Sequence, residues 1–253
     1  MEKIFYIDKT EQIHRLITLG DYYFLSRPRR FGKSLTLSTI KSIYLGQQEL
    51  FEGLWIAEQW DWTQTNSVLH MSFSSVDYQG LGLEGGIRAM LTLHAKEHGV
   101  LLESETSKSM FLELIRKVSV QGKVVILIDE YDKPIIDYFD NIEQARENQQ
   151  VLKSFYLVIK DSDPYIELLL LTGISKFSKV SIFSDLNNLN DITFNRQYSD
   201  FVGYTQSELE GTFEPYIQRA IIELNIDRTT LLEKLRQKYN GYSWDGNRYV
   251  YNP

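Results

Sequence analysis

The sequence predicts a three-layer α/β sandwich with a mainly parallel sheet, followed by a small, mostly helical C-terminal region. Three observations carry that prediction. Short apolar segments of strand length alternate with longer segments whose apolar residues recur at helical spacing. Two strand segments, Lys123 to Ile128 and Ile166 to Leu171, are apolar almost throughout, as expected of parallel strands covered on both faces. After Gly203 the strand segments give way to consecutive helical ones and a turn-rich end.

Taken in order, Glu11 to Leu19 places Ile13, Leu16 and Ile17 on one face of a helix that Gly20 stops. Tyr22 to Leu25 is a short apolar strand, and Ser34 to Tyr44 is helical. Val68 to Phe73 is a second strand, followed by helices over Gly85 to Glu97 and Lys108 to Val118. The buried strand ending at Ile128 comes next. A helix over Asn148 to Lys160 then leads into the strand ending at Leu171. Thr205-Gln206-Ser207-Glu208 has a hydroxyl at the cap and a carboxylate three residues on, the pattern of a capping box. Helices are expected over Gln206 to Gly211, Phe213 to Leu224 and Thr229 to Tyr239, with a hairpin over Gly241 to Pro253. No internal repeat or linker composition interrupts the chain before Gly203. The expected division is therefore a core domain over residues 1–203 and a lid-like region over residues 204–253.

Composition narrows the function classes. The 27 Lys and Arg against 34 Asp and Glu among 253 residues give a net charge of −7, which argues against a protein that coats nucleic acid with its whole surface. A local basic site stays open. Hydrophobic residues make up 43% of the chain, enough for an ordinary core and too many for a disordered one. The absence of cysteine removes disulfides, thiolate metal sites and cysteine nucleophiles, and fits a reducing compartment. The opening MEKIFYIDKT mixes acid and base and has no long apolar core, unlike a signal peptide. The longest apolar runs, Val124 to Ile128 and Leu168 to Leu171, are far below a membrane span. The expectation is a soluble cytoplasmic protein with no membrane partner.

The sharpest motif is Ser26-Arg27-Pro28-Arg29-Arg30-Phe31-Gly32-Lys33-Ser34, lying between a strand and a helix. It fits the phosphate-loop template G-x-x-x-x-G-K-[ST] except that Arg27 stands at the first glycine. A glycine at Gly32 lets backbone approach a phosphate, and the N–H groups of a helix start form an anion nest. Lys33 can bridge the β- and γ-phosphates, and the Ser34 hydroxyl can coordinate Mg²⁺. Arg29, Arg30, Phe31, Gly32, Lys33, Ser34 and Leu35 form the expected phosphate-binding stretch. The second motif is Val124-Val125-Ile126-Leu127-Ile128-Asp129-Glu130, a buried strand ending in two acids, the Walker B pattern. Asp129 is the candidate for the Mg²⁺ shell and Glu130 for polarising the attacking water. Adjacent carboxylates at a strand end need a cation or hydrogen bonds to compensate them. Both motifs sit at carboxyl ends of strands, where ligands gather in open parallel sheets. The fold class is thus that of a P-loop NTPase.

One further strand, Val68 to Phe73, lies between the motifs in sequence. That strand and the glutamate beside Asp129 favour the ATPase branch of phosphate-loop proteins. No [NT]-K-x-D guanine-reading motif occurs, so ATP is preferred to GTP. A third strand ends in Thr172-Gly173-Ile174-Ser175-Lys176. There Thr172 or Ser175 is either a hydroxyl that orients water near the γ-phosphate or an ordinary strand-end cap. Thr172 is taken as a catalytic candidate with Lys33 and Glu130.

Ser26 to Ser34 (SRPRRFGKS), Asp129 to Pro134 (DEYDKP), Asn187 to Thr193 (NNLNDIT) and Tyr6 to Thr10 (YIDKT) resemble the bacterial AAA-ATPase-like family. The resemblance continues through Gly203-Tyr204-Thr205 and Tyr242-Ser243-Trp244, and Arg27 at the first glycine position is itself usual there. It implies a module that binds ATP and hydrolyses it with Mg²⁺. Relatives often carry a C-terminal restriction-endonuclease-like nuclease domain. None follows here, so the end at Tyr251-Asn252-Pro253 is expected to be a truncation. The resemblance also brings homo-oligomerisation, a tethered nuclease and a link to mobile DNA or defence into consideration as partners and task. A non-hydrolysing nucleotide switch and a DNA-associated module are the alternatives.

Several other residues invite a role. Arg27, Arg29 and Arg30 suit a nucleotide phosphate through their planar forks of donors, pairing with acids of the fold, or action on a neighbouring subunit. Lys176, Lys179 and Arg196 are later candidates for a charge sensor or arginine finger, against the plainer reading of solvated charges. Asp132 and Lys133 are expected to pair with each other or with the basic cluster. His94 and His98 stand four apart on a helix, yet no further metal ligand is suggested nearby. Trp55, Trp60 and Trp62 with Phe51 are read as a hydrophobic staple below the first helix.

Overall fold

The structure is a computed structural model and describes residues 6–176, 182–183 and 186–253. Five strands form one sheet: β1 (Tyr22–Ser26), β2 (Val68–Ser72), β3 (Val124–Asp129), β4 (Ile166–Gly173) and β5 (Asn190–Asp191). Their order is β2-β3-β4-β1-β5, and every pairing is parallel. The strand that intervenes in sequence between the two motifs, β2, lies at the edge of the sheet. In space it is β4 that separates the phosphate-loop strand β1 from the acid-ended strand β3.

Alternation along each strand divides the core in two. Tyr22, Phe24, Ile126, Ile128, Leu169 and Leu171 face one layer, built on α3 (Tyr78–Glu97), α4 (Ser107–Val118) and α6 (Ile142–Asp161). Tyr23, Leu25, Val125, Leu127, Leu168 and Leu170 face the other, with α1 (Thr10–Leu19) and α2 (Lys33–Tyr44). Two covered faces explain why these strands have no polar alternate positions. The same parity sends Asp129 and Thr172 to the α2 side, toward the phosphate loop.

A short α5 (Lys133–Ile136) follows β3. Beyond the sheet come α7 (Gln206–Thr212), α8 (Glu214–Leu224) and α9 (Arg228–Tyr239), then an antiparallel hairpin of β6 (Asn240–Ser243) and β7 (Tyr249–Tyr251). The capping box is present: Thr205 and Glu208 satisfy each other's backbone N–H groups, a device worth about 0.5–2 kcal/mol. This region packs on the sheet domain. Lys9 donates to Glu208 Oε1 at 2.6 Å and Arg248 to Asp200 Oδ2 at 3.1 Å, while Tyr204 and Tyr251 pair as a bridge within the region. Of the expected staple, Trp62 packs at a tilt against Phe51 and Trp60 edge-on against Tyr44, whereas Trp55 is exposed and lies against His14.

Candidate active site

The loop from Arg27 to Gly32 carries the chain from β1 into α2. Gly32 caps the helix at φ 88°, in the left-handed region that glycine adopts without strain. A Cβ there would meet nothing within 4 Å, so conformation fixes this glycine and the space beside it is open. Arg30 also has positive φ. The first-turn N–H groups of α2 have no intrahelical partner, and no side chain caps them, which leaves donors for an anion.

Lys33 is buried and folds back over the loop, donating to Arg27 O and Pro28 O at 2.9 Å each. An ammonium has three donors, so one is left for a ligand. Burial lowers the Lys33 pKa, while Asp129, Glu130 and Asp132 oppose that shift and Arg29 adds to it.

Asp129 faces the loop from the end of β3. Its Oδ2 accepts from Ser34 Oγ at 2.5 Å, and its Oδ1 accepts from Thr172 Oγ1 at 2.6 Å and from the Glu130 N–H at 3.1 Å. Register brings these groups together. Ser72 lies beside Asp129 across β2 and β3, and Leu25 beside Thr172 across β1 and β4. Thr172 is fully buried and points at Asp129. In this geometry its hydroxyl holds the carboxylate, which favours the strand-end role over the water-orienting one.

Glu130 is half-buried and takes φ 51°, an uncommon conformation for a residue with a side chain. Its Oε2 accepts from Ser74 Oγ at 2.5 Å. Ser74 is the residue that sequence reasoning missed. The available signal was the cluster Ser72-Phe73-Ser74-Ser75 at the end of a strand next to β3.

The turn after β4 is tied to both motifs. Asp132, fully buried, accepts from the N–H groups of Ile174 and Ser175 and from Ser175 Oγ. Ser26 Oγ donates to Ile174 O, and the Arg27 N–H to Gly173 O. Lys133 pairs with Asp137, so Asp132 and Lys133 find separate partners. Ser175 therefore serves the turn. Lys176 pairs with Asp191 at 3.1 Å and lies over the Phe194 ring. Lys179 lies outside the described residues, and Arg196 is exposed. Arg29 and Arg30 are exposed beside the crevice. Arg27 is buried, and Phe31 packs its ring inward, so only its backbone faces the loop. Leu35 is exposed. It lines a cavity of about 190 Å³ beside Gly32, with Tyr6, Ile7, Phe201 and Tyr204.

Residues 1–183 match the family model described as "AAA-ATPase_like: Predicted AAA-ATPase". The chain belongs to this AAA-ATPase-like family. A protein of Azotobacter chroococcum mcd 1, described as "Uncharacterized protein in vnfD 5'region", is 43% identical over 252 residues, 98% of this chain and 47% of that protein. The chain thus spans about half the length of that relative. No solved structure matches. The family match takes in SRPRRFGKS and DEYDKP. NNLNDIT, GYT and YSW lie beyond it, within the span shared with the relative.

His94 and His98 of this AAA-ATPase-like chain find protein partners. His94 Nδ1 lies 3.2 Å from Glu97 Oε2, and His98 Nε2 lies 3.3 Å from Val68 O. Among the described residues no group of three or more His, Asp or Glu is placed to hold a metal ion. Nor is any described helix long and apolar enough to cross a membrane. Burial lowers the pKa of His94, with Glu97 opposing and His98, Lys41 and His70 reinforcing; burial and Lys41 lower that of His70, against Asp129. These rings stay neutral in the fold at pH values where the unfolded chain, titrating near 6.5, takes up protons. Stability therefore falls as pH drops below about 6.5. We expect the melting temperature to decline between about pH 7.5 and 5.5, and His94→Gln to flatten that decline in paired thermal melts.

Proposed function

We propose that the chain binds ATP with Mg²⁺ and hydrolyses it. One observation carries this reading: Ser34 and Asp129, from the two motifs, meet across the crevice at 2.5 Å beside the buried ammonium of Lys33. The donor set suits Mg²⁺, which favours a hydroxyl, a carboxylate and phosphate oxygens. Ser34 and Asp129 would hold it, and when bound it would offset charge on the phosphates.

The remaining roles fall to the chain's own residues. The free donors of α2 and Lys33 receive the β- and γ-phosphate oxygens, and Arg29 and Arg30 add positive charge at the mouth. Thr172 keeps the Asp129 carboxylate turned toward Ser34. The cavity lined by Tyr6, Leu35 and Tyr204 supplies apolar surface for the base. Glu130 orients a water in line with the γ-phosphorus and takes up its proton as the new P–O bond forms. The bond to the ADP oxygen then breaks, with the developing charge opposed by Lys33.

Phosphate release by the purified chain with MgATP tests the proposal. Turnover above the buffer background supports it. ATP binding without turnover, alone and with added DNA or protein partners, would select the alternative of a nucleotide switch. That alternative is favoured by the Ser74 hydroxyl, which holds Glu130 Oε2 and competes with a water for that oxygen. We expect Ser74→Ala to raise turnover by about two- to tenfold, the worth of one hydrogen bond of roughly 0.5–1.5 kcal/mol. Steady-state kinetics measure it. A cytoplasmic location, homo-oligomerisation, a tethered nuclease and DNA contact are proposed alongside this reading. Salt-dependent DNA binding would mark the last.

A further inference from the structure

The phosphate loop is gripped at both ends by the far end of the chain. Arg27, which stands where the template has glycine, is buried, and its guanidinium donates to Ser26 O at 2.9 Å, Thr193 O at 2.6 Å and Tyr198 O at 3.2 Å. Its open face is covered by Trp244, whose ring centroid lies 4.3 Å from Arg27 Cζ. At the other end of the loop, the Phe31 ring lies 4.8 Å from Tyr242 and 5.7 Å from Trp244. Tyr242 and Trp244 stack on each other. The hairpin is itself held at its base, because Tyr251 and Tyr204 exchange backbone hydrogen bonds, and to the sheet domain, because Arg248 donates to Asp200 Oδ2 at 3.1 Å. Gly203 permits this close approach: a Cβ there would come within 2.9 Å of Tyr251 O and 3.1 Å of the Phe31 ring.

We propose that the hairpin over residues 240–251 is a clamp on the phosphate loop, with Trp244 the positioning residue that acts through Arg27 and Phe31. The connection to chemistry is short. Arg27 O accepts from Lys33 Nζ, so the side chain that Trp244 covers belongs to the residue whose carbonyl aims the ammonium. Between the two anchors only Pro28, Arg29 and Arg30 are free to adjust to a ligand. The clamp runs in both directions. Whatever moves α9 and its hairpin loosens the loop, and a phosphate that tightens the loop orders the hairpin. The second direction rests on the nucleotide reading above; the first does not.

Hydrogen exchange on the whole chain separates the two. Without nucleotide, Trp244→Leu is expected to speed exchange of the hydrogen-bonded amides that bound the loop, those of Ser26, Arg27 and Thr36, by about tenfold while β3 keeps its protection, and Trp244→Phe, which retains a ring over Arg27, is expected to recover most of the difference. Wild-type loop exchange in Trp244→Leu would overturn the clamp, as would equal exchange in Trp244→Leu and Trp244→Phe. With MgATP, the wild type is expected to gain protection in residues 240–251 as well as in the loop. Protection confined to the loop would overturn the clamp while leaving nucleotide binding intact. No protection anywhere would count against the nucleotide reading alone, and the nucleotide-free comparison would still decide the clamp. Should Trp244→Leu lose β3 protection as well, Tyr242→Leu, which removes the other hairpin ring from Phe31, replaces it. Loop exchange faster in Tyr242→Leu than in wild type, with β3 unchanged, then supports the clamp, and identical loop exchange overturns it.

Discussion

Lys33→Ala is expected to weaken ATP binding by at least about 100-fold, because a charged hydrogen bond contributes roughly 1.5–3 kcal/mol and the ammonium also offsets the charge of the triphosphate as a whole. The electrostatic setting makes the loss larger than a missing contact. Asp129, Glu130 and Asp132 all act on Lys33. Without the ammonium, their negative charge meets the triphosphate with only the exposed Arg29 and Arg30 to offset it. The fold itself has less at stake. Lys33 donates to two loop carbonyls, Arg27 O and Pro28 O, which water can serve once the side chain is gone. Calorimetric titration of wild type and variant, with a thermal melt of each, distinguishes lost affinity from lost structure. Lys33→Arg is not expected to restore binding, since a planar fork cannot occupy the tight space between loop carbonyls and phosphate as a point charge does.

Glu130→Gln has the opposite signature. We expect turnover to fall by about 10²- to 10⁴-fold, the usual worth of a general base, with ATP affinity kept or tightened because one negative charge leaves the site. The substitution is conservative for the backbone. Glutamine has the same bulk at φ 51°, and its amide oxygen can still accept from Ser74 Oγ. Single-turnover kinetics beside equilibrium binding measure both quantities. Equal turnover in wild type and variant would remove Glu130 from the mechanism. Asp129 behaves differently, because it bridges the two motifs through Ser34 and Thr172 and its loss would disturb the loop as well.

What could be read in advance follows from how each feature is encoded. β3 and β4 were legible because two covered faces demand unbroken apolar runs, and the phosphate loop because helix-start anion binding demands small, charged residues in fixed order. β5 was not legible: Asn190 and Asp191 form a two-residue polar edge strand, and only pairing with Tyr23 and Phe24 makes it one. The first turns of α3 were hidden by Gly80, Gly82, Gly85 and Gly86, and the helix does kink at Gly82. The first turns of α6 were hidden because they bury almost nothing; Ile142 is itself exposed. At the candidate site, local pattern alone singled out Asp129, Lys33 and Ser34. Ser74 was not singled out, and Trp244 entered only through the resemblance, because their partners lie far along the chain. Arg27 shows the limit most plainly. An arginine beside a phosphate loop suits a phosphate, an acid of the fold or a neighbouring subunit, yet burial lowers the Arg27 pKa to about 10 and both of its Nη groups donate to backbone carbonyls.

The central claim is that residues 27–34 receive a triphosphate opposite Asp129. Its most direct test is the melting temperature of the wild-type chain titrated with ATP, ADP and GTP, with and without Mg²⁺. A ligand that binds only the folded state adds about 2.7 kcal/mol of stability at a hundred times its Kd. The account predicts a melting temperature that climbs with the logarithm of ATP concentration, climbs less without Mg²⁺ or with GTP, and stays flat in Lys33→Ala. A wild-type melting temperature unmoved by millimolar MgATP, or moved equally in Lys33→Ala, would contradict it.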